Sequence, residues 1–288
     1  MELSVNTGYF IGRPDGSKRT MAEALGIMKA GGFDCADIGL GSDDPAYNPV
    51  VADDPDAAAK ALRETFARVG IKPDQAHARY HFKDYAPAEV TEHLVRTVKV
   101  CGALGVKTLV VHADTWYDVE TYTFDRALAR IYEIHAPVVE EAEKRGVVIA
   151  MENLFEDRAP KGSRCRFCSE VEELEAIVAK FPTPFCGVCY DTGHARVVYG
   201  DKQFEVMARF GKRIVATHVH DNIVSKDLHG FPFSGGTDWE AFRRMLLQIG
   251  YTGTFTFEMV YGRFPDELVT DFATFLHKAG VYMTRELG

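Results

Sequence analysis

Short runs rich in β-branched and aromatic residues alternate along the chain with longer stretches whose apolar positions recur every three or four residues. The first kind predicts buried strands at 3–7, 33–38, 71–76, 108–112, 147–152, 185–191, 214–220 and 254–259. The second predicts amphipathic helices between them, such as 56–69, 88–104, 124–145 and 239–249, and a long last helix over 265–287. Several helical stretches stop at a glycine just before the next strand, at Gly31-Gly32, Gly70, Gly105, Gly146 and Gly250, where a left-handed C-terminal residue belongs. Ser169-Glu170-Val171-Glu172 predicts a capping box opening the helix before the sixth strand. No linker-like or low-complexity segment divides the chain, so one domain is expected over 1–288.

Eight strand–helix units in 288 residues is the arithmetic of a TIM barrel. A doubly wound open sheet would place a glycine-rich phosphate turn after the first strand, and the segment from Asn6 to Ser17 contains no GxGxxG. The expected fold class is therefore α/β, a single-domain (β/α)8 TIM barrel.

Composition narrows the partners more than the fold. With 46% hydrophobic and 26% charged residues the chain has material for a large core, and its formal charge of −9 disfavours non-specific binding to nucleic acid or anionic membranes. No apolar run reaches the ~20 residues of a membrane helix, and the N-terminus lacks the basic and apolar regions of a signal peptide. A cytoplasmic location is the expectation. Cys165 and Cys168 form one CxxC and Cys186 and Cys189 another, a spacing compatible with a structural zinc. The second pair, however, sits in a strand-like run, where residues three apart project to opposite faces. Reduced, buried cysteines are the expectation instead.

The candidate chemistry lies at the strand ends. In a barrel of this kind the C-terminal ends of all strands face one mouth. Strand three ends at His77, four at His112, five at Glu152 and six at Asp191, with His194 in the turn beyond; seven ends at His218 and His220, and eight at Glu258. Each alone reads as an ordinary satisfied polar residue. Six consecutive strands ending this way would bury many unpaired carboxylates and imidazoles at several kcal/mol each. A divalent cation resolves that conflict, because carboxylate oxygen and imidazole nitrogen are donors that Mn²⁺, Mg²⁺, Co²⁺ or Zn²⁺ accept. Asp191 is read as a ligand, and His194 as a neighbour that orients substrate or holds a further metal.

Five blocks in order, "VVHAD", "AMENL", "CYDTGHA", "HVHDN…DLHGFPFSGGTDW" and "FTFEMV", resemble the sugar phosphate isomerase/epimerase superfamily, the xylose isomerase-like TIM barrels. That family includes ketose 3-epimerases, inosose dehydratases and endonucleases of the endonuclease IV type. The resemblance implies one divalent metal held by Glu152, Asp191, His218 and Glu258, with His220 an alternative to His218, and Glu152 and Glu258 also serving as the acid/base pair. It further implies that His194 contacts substrate. The chemistry is physically coherent: a metal chelated by a carbonyl and the adjacent hydroxyl stabilises an enediolate, and two carboxylates on its opposite faces divide proton removal and return. A divalent-metal-dependent isomerase or epimerase of a keto sugar or sugar derivative is the expected function. Ketose 3-epimerases carry an Arg a few residues after the strand-seven His, whereas Val224 stands there in this chain, with Lys226 nearby. Lys226, Arg79 or Arg158 would suit a phosphate or carboxylate, or remain solvated.

A dehydratase of inosose-type polyols shares the proton-abstraction step and is the first alternative. The second is a zinc phosphodiesterase of the endonuclease IV type. His77, His112, His194, Asp227 and His229 supply residues for substrate binding or a second and third metal, Asp227-Leu228-His229 giving an Asp-x-His pair. Against a nucleic-acid substrate stands the loop after strand two, with Asp43, Asp44, Asp53, Asp54 and Asp56 and no Lys or Arg. A non-catalytic sugar-binding barrel is the remaining class, disfavoured by the complete carboxylate set. Tyr9, Phe10, Trp116, Tyr117 and Phe155 would suit walls for a sugar face or helix–barrel packing. A small-molecule sugar is the expected partner, and the long last helix is a candidate homo-oligomer contact.

Overall fold

A computed structural model describes every residue except 114, 117, 158, 223–225, 261, 287 and 288. Among the described residues eight strands follow one another: β1 (Leu3–Val5), β2 (Cys35–Leu40), β3 (Lys72–Ala78), β4 (Thr108–Val111), β5 (Val148–Glu152), β6 (Cys186–Asp191), β7 (Ile214–His218) and β8 (Phe255–Phe257). Strands β2 to β7 form one parallel ladder in sequence order, and β1 pairs with β8, also in parallel. Single bridges from Asn6 to Asp37 and from Val219 to Phe257 join the two sheets at both edges and close the barrel. The (β/α)8 fold is the expected one.

One helix follows each strand, except that β6 is followed by two. They are α1 (Met21–Gly31), α2 (Pro55–Val69), α3 (Pro87–Leu104), α4 (Phe124–Arg145), α5 (Val171–Ala179), α6 (Thr192–Tyr199) with α7 (Gln203–Phe210), α8 (Trp239–Ile249) and α9 (Val269–Met283). Their limits have local causes. Asp54, Thr123 and Asp238 cap the N-termini of α2, α4 and α8 through their side chains. Gly32, Gly70, Gly105, Gly146 and Gly250 end helices with positive φ, as the sequence predicts.

Two expectations need correction. The box expected at Ser169 is displaced by one residue: Glu170 is the N-cap of α5, and the carboxylate of Glu173, not Glu172, accepts from the Glu170 N–H at 3.3 Å. Cys168, at a φ of 68°, turns the chain so that the Ser169 hydroxyl donates back to the Arg166 carbonyl, at 2.6 Å. The last helix begins at Val269 rather than 265: a separate turn precedes it, in which the Leu268 and Val269 N–H groups donate to the Pro265 carbonyl, each at 3.1 Å, and Asp266 within that turn is held by two arginines.

One of these is Arg19, almost fully buried. Its guanidinium donates to the Asp266 carboxylate at 2.6 and 2.8 Å and to the carbonyls of Phe10, Gly12 and Phe264, tying the loop after β1 to the loop after β8 across the barrel seam. Truncating it strands three carbonyls without their donor. Arg19→Ala is expected to lower unfolding stability by roughly 2–3 kcal/mol, measured in urea, whereas Lys18→Ala, exposed beside Asp44 and the Tyr47 ring, is expected to change it by less than about 0.5.

Candidate metal centre and active site

Strand alternation sorts the barrel interior into layers. Val110, Ala150, Cys189 and Ala216 form a small apolar cluster inside β4 to β7. Two residues further along each strand come His112, Glu152, Asp191 and His218, so the polar residues sit on this floor as a complete layer at the mouth. His77, on β3, and Glu258, just past β8, extend the layer to the other side.

Glu152 is the centre of the layer. It has no solvent exposure, and four imidazoles converge on it: His112 Nε2 at 2.9 Å and His77 Nε2 at 3.3 Å from Oε2, His218 Nδ1 at 3.0 Å and His194 Nδ1 at 3.5 Å from Oε1. Burial alone would push its carboxyl up, but His218 and His112 outweigh that and hold it well below the usual carboxylate range. His112 is itself pushed down to about 4, by burial acting against Glu152. Donor atoms of Glu152, Asp191, His218 and Glu258 all lie within 4.8 Å of one another. The same holds for His77, His112 and Glu152, and separately for His194, Asp227 and His229. The donor set fits a divalent cation on its chemistry, and Glu258 Oε2 is a buried carboxylate oxygen without a hydrogen-bond partner among the described residues.

The stretch from Asp191 to His194 shows how the chain builds this. Asp191 both caps and converges. Its Oδ1 accepts from the His194 N–H at 2.6 Å, starting α6, while His220 Nε2 stands 3.1 Å from both carboxylate oxygens. Gly193 has no side chain because the His220 ring lies where a Cβ would go. Thr192 accepts from the His220 N–H at 3.1 Å and donates to its carbonyl at 2.8 Å, locking the loop after β7 against α6. His218 thus serves the Glu152 side of the site and His220 the Asp191 side.

Two asparagines absent from the expectations clamp the strand ends. Asn153 donates to the Asp191 carbonyl at 3.0 Å and accepts from its N–H at 2.8 Å; Asn6 makes the same pair of bonds with Met259, both at 3.0 Å. Asn153 directly follows Glu152 in "MENL" and was the more legible of the two. Asp37, on β2, is a third buried polar residue that the sequence reading passed over, its carboxyl raised to about 6 by burial.

Every expected site residue falls in this one region: Glu152, Asp191, His218 and Glu258 in the four-residue group, with His77, His112, His194, Asp227 and His229 around it. The aromatic expectations divide. Tyr9 and Phe10 are buried and pack on each other, with Tyr9 also against Phe264, so they belong to the core. Phe155 lies 5.1 Å from the His194 ring, at the mouth, and Trp116 lies against Arg126 and Arg130. Tyr80, in the basic and aromatic loop after strand three, is exposed and 4.8 Å from the His112 ring. Arg79 is paired with Asp43 at 2.5 Å. Tyr117, Arg158 and Val224 lie outside the described residues. Cys189 is in the barrel floor while Cys168 and Cys186 belong to the surrounding core, so the second CxxC does point two ways.

The electrostatics make a prediction about pH. His194 is raised to about 10 and His229 to about 9; burial lowers both, and the surrounding Asp191, Asp227 and Glu258 more than reverse it. Groups raised above their unfolded value of 6.5 stabilise the fold in full below that pH and lose their contribution as pH climbs through the folded values. The metal-stripped protein is therefore expected to lose thermal stability between about pH 6.5 and 10, read as a falling thermal midpoint across that range. A flat profile in the stripped protein would show that the imidazoles are not charged.

The fold and site can be set beside known proteins. A family model described as xylose isomerase-like TIM barrel matches residues 25–278. The uncharacterized protein y4fM of Sinorhizobium fredii is 28% identical over 207 residues, 69% of this chain and 62% of its own length, so the match spans less than two thirds of that relative. Among solved structures, a D-tagatose 3-epimerase-like protein superposes with a TM-score of 0.75 at 20% identity, covering 99% of both chains. A D-psicose 3-epimerase determined in the presence of D-fructose superposes with a TM-score of 0.76 at 16% identity over the full length of both. At these identities the structural likeness is one of fold. With the family model spanning most of its length, the chain belongs to the xylose isomerase-like TIM barrel family.

Proposed function

We propose that this protein is a divalent-metal-dependent isomerase or epimerase of a keto sugar or sugar derivative. The observation that carries the reading is the four-residue group at the barrel mouth, in which His218 Nδ1 lies 3.0 Å from Glu152 and 3.4 Å from Glu258, with Asp191 closing the set. The ketose 3-epimerases among its structural neighbours support the same kind of chemistry. A cation held by Glu152, Asp191, His218 and Glu258 would supply Lewis acidity to a carbonyl and its neighbouring hydroxyl.

The protein's own residues would do the rest. Glu258, part-exposed at the mouth, reaches the substrate side of the site, and Glu152 faces it from within. The pair would take a proton from carbon and return it, to the opposite face in an epimerase or to the neighbouring carbon in an isomerase. His194 has its Nδ1 on the Asn153 carbonyl at 2.8 Å and its Nε2 3.5 Å from Asp227, so a substrate hydroxyl would share Nε2 with that carboxylate. Phe155 and Tyr80 would offer faces for a sugar ring. Loss of a β-hydroxyl after proton removal would instead make the enzyme a dehydratase, distinguished by product.

A specific observation favours a second reading. His77, His112 and Glu152, and His194, Asp227 and His229, form separate ligand groups beside the first, with Glu152 common to two of them. Two or three zinc ions so placed would suit phosphate-ester hydrolysis. Elemental analysis of untagged protein decides between them: one Mn, Mg or Co per chain supports the proton-transfer reading, whereas two or three Zn, partly lost in His112→Ala, moves hydrolysis to the front. On a panel of keto sugars, Glu152→Gln and Glu258→Gln are expected to stay folded and lose at least ~10² in kcat; near-normal turnover in both would sink the assignment.

A further inference from the structure

Three imidazoles of the site spend their second ring nitrogen on a backbone carbonyl. His77 Nδ1 is 2.7 Å from the Ala78 oxygen, His194 Nδ1 2.8 Å from that of Asn153, and His229 Nδ1 3.2 Å from that of Glu258. Each therefore turns Nε2 toward the carboxylates. His218 is turned the other way. Its Nδ1 faces Glu152 and Glu258, and its Nε2, fully buried, has no hydrogen-bond partner among the described residues. Across from that nitrogen, at 4.0 Å, stands Asp37 Oδ2.

Asp37 is as unusual as the nitrogen it faces. It is buried in the barrel interior, a place ordinarily filled by branched apolar side chains, and its Oδ1 also lacks a hydrogen-bond partner. The pairing of β2 with β3 shifts between Ala36 and Asp37, an irregularity of the kind that re-aims a side chain. We propose that Asp37 is the positioning carboxylate of His218, accepting the Nε2–H when Nδ1 holds a divalent cation. This rests on the metal reading above.

The chemistry requires such a partner. An imidazole that gives its Nδ1 lone pair to a cation keeps its one proton on Nε2, and a buried N–H without an acceptor is costly. Asp37 would fix the ring and its tautomer, strengthen the donor nitrogen, and add a negative charge close to the cation. The 4.0 Å gap leaves no room for an intervening water, so a small rotation of either side chain would make the bond direct.

The test uses the metal-stripped full chain, titrated with Zn²⁺ alone and with Mn²⁺ alone against a competing chelator. Wild type, Asp37→Asn and Gln75→Met are compared, together with the thermal midpoint of each metal-free form. Gln75 pairs with Asp37 in the ladder and is also buried, so its replacement perturbs the same layer without touching His218. Asp37→Asn is expected to weaken the tightest equivalent by about 10–100-fold, and Gln75→Met to leave it within about threefold. Unchanged affinity in Asp37→Asn overturns the proposal, and so does an equal loss in Gln75→Met, which would mark general loosening. If Asp37→Asn does not fold, Asp37→Ser is read by the same criteria. A wild type that takes up neither cation overturns the metal reading itself, and this inference with it.

Discussion

Burying the Glu152 carboxylate with no solvent contact is tolerable only because four imidazoles converge on its two oxygens. An unpaired carboxylate in that position would carry a desolvation cost of several kcal/mol, more than any one of the neighbouring contacts returns. Positive charge has to be found for it, and for Asp191 and Glu258 beside it. Protonated imidazoles are one source and a divalent cation is the other. The raised His194, His218 and His229 express the first of these. A cation held as proposed would take the His218 nitrogen that otherwise carries a proton, so metal and proton occupancy would be linked there.

The surrounding barrel is arranged to hold that charge still. Most of the groups involved stand on strand ends or within two residues of them, and the backbone is pinned where the ladders stop. Asn153 and Asn6 continue the pairing with side-chain amides, and Thr192 binds both the N–H and the carbonyl of His220. A site positioned this way keeps its geometry without help from mobile loops. Below it, Val110, Ala150, Cys189 and Ala216 form the small apolar floor on which the polar layer sits.

Much of this was legible from the chain. The helices at 124–145 and 239–249 have the predicted limits because each is bracketed by a capping side chain, Thr123 or Asp238, and by a terminal glycine, Gly146 or Gly250. The site was legible because barrel topology turns "strand ends on a polar residue" into "residues meet". What escaped had no local signature. Ser169 looks like a cap, but Cys168 in a left-handed conformation reverses the chain there. Asp37 sits mid-strand in "CADIGL", and only closure of the barrel reveals that it faces His218. Tyr9 and Phe10 resemble a binding wall in sequence, yet the seam tied by Arg19 folds them into the core.

The rim bears on what can be held at the mouth. Its carboxylates and cations are largely committed to one another: Asp43 to Arg79, Asp44 to Lys18, Asp157 to Arg166, whose guanidinium also lies 5.5 Å from the Phe155 ring centroid. A polyanion would have to break these pairs to find a counter-charge, in a protein whose net charge of −9 already opposes it. A neutral ligand faces no such conflict. Its oxygens would meet the carboxylate–imidazole layer and whatever cation that layer holds, and its apolar face the rings of Tyr80 and Phe155. Charge pairing at the rim thus fits the proposed uncharged ligand better than a phosphodiester chain, even though the imidazole-rich layer beneath would serve either.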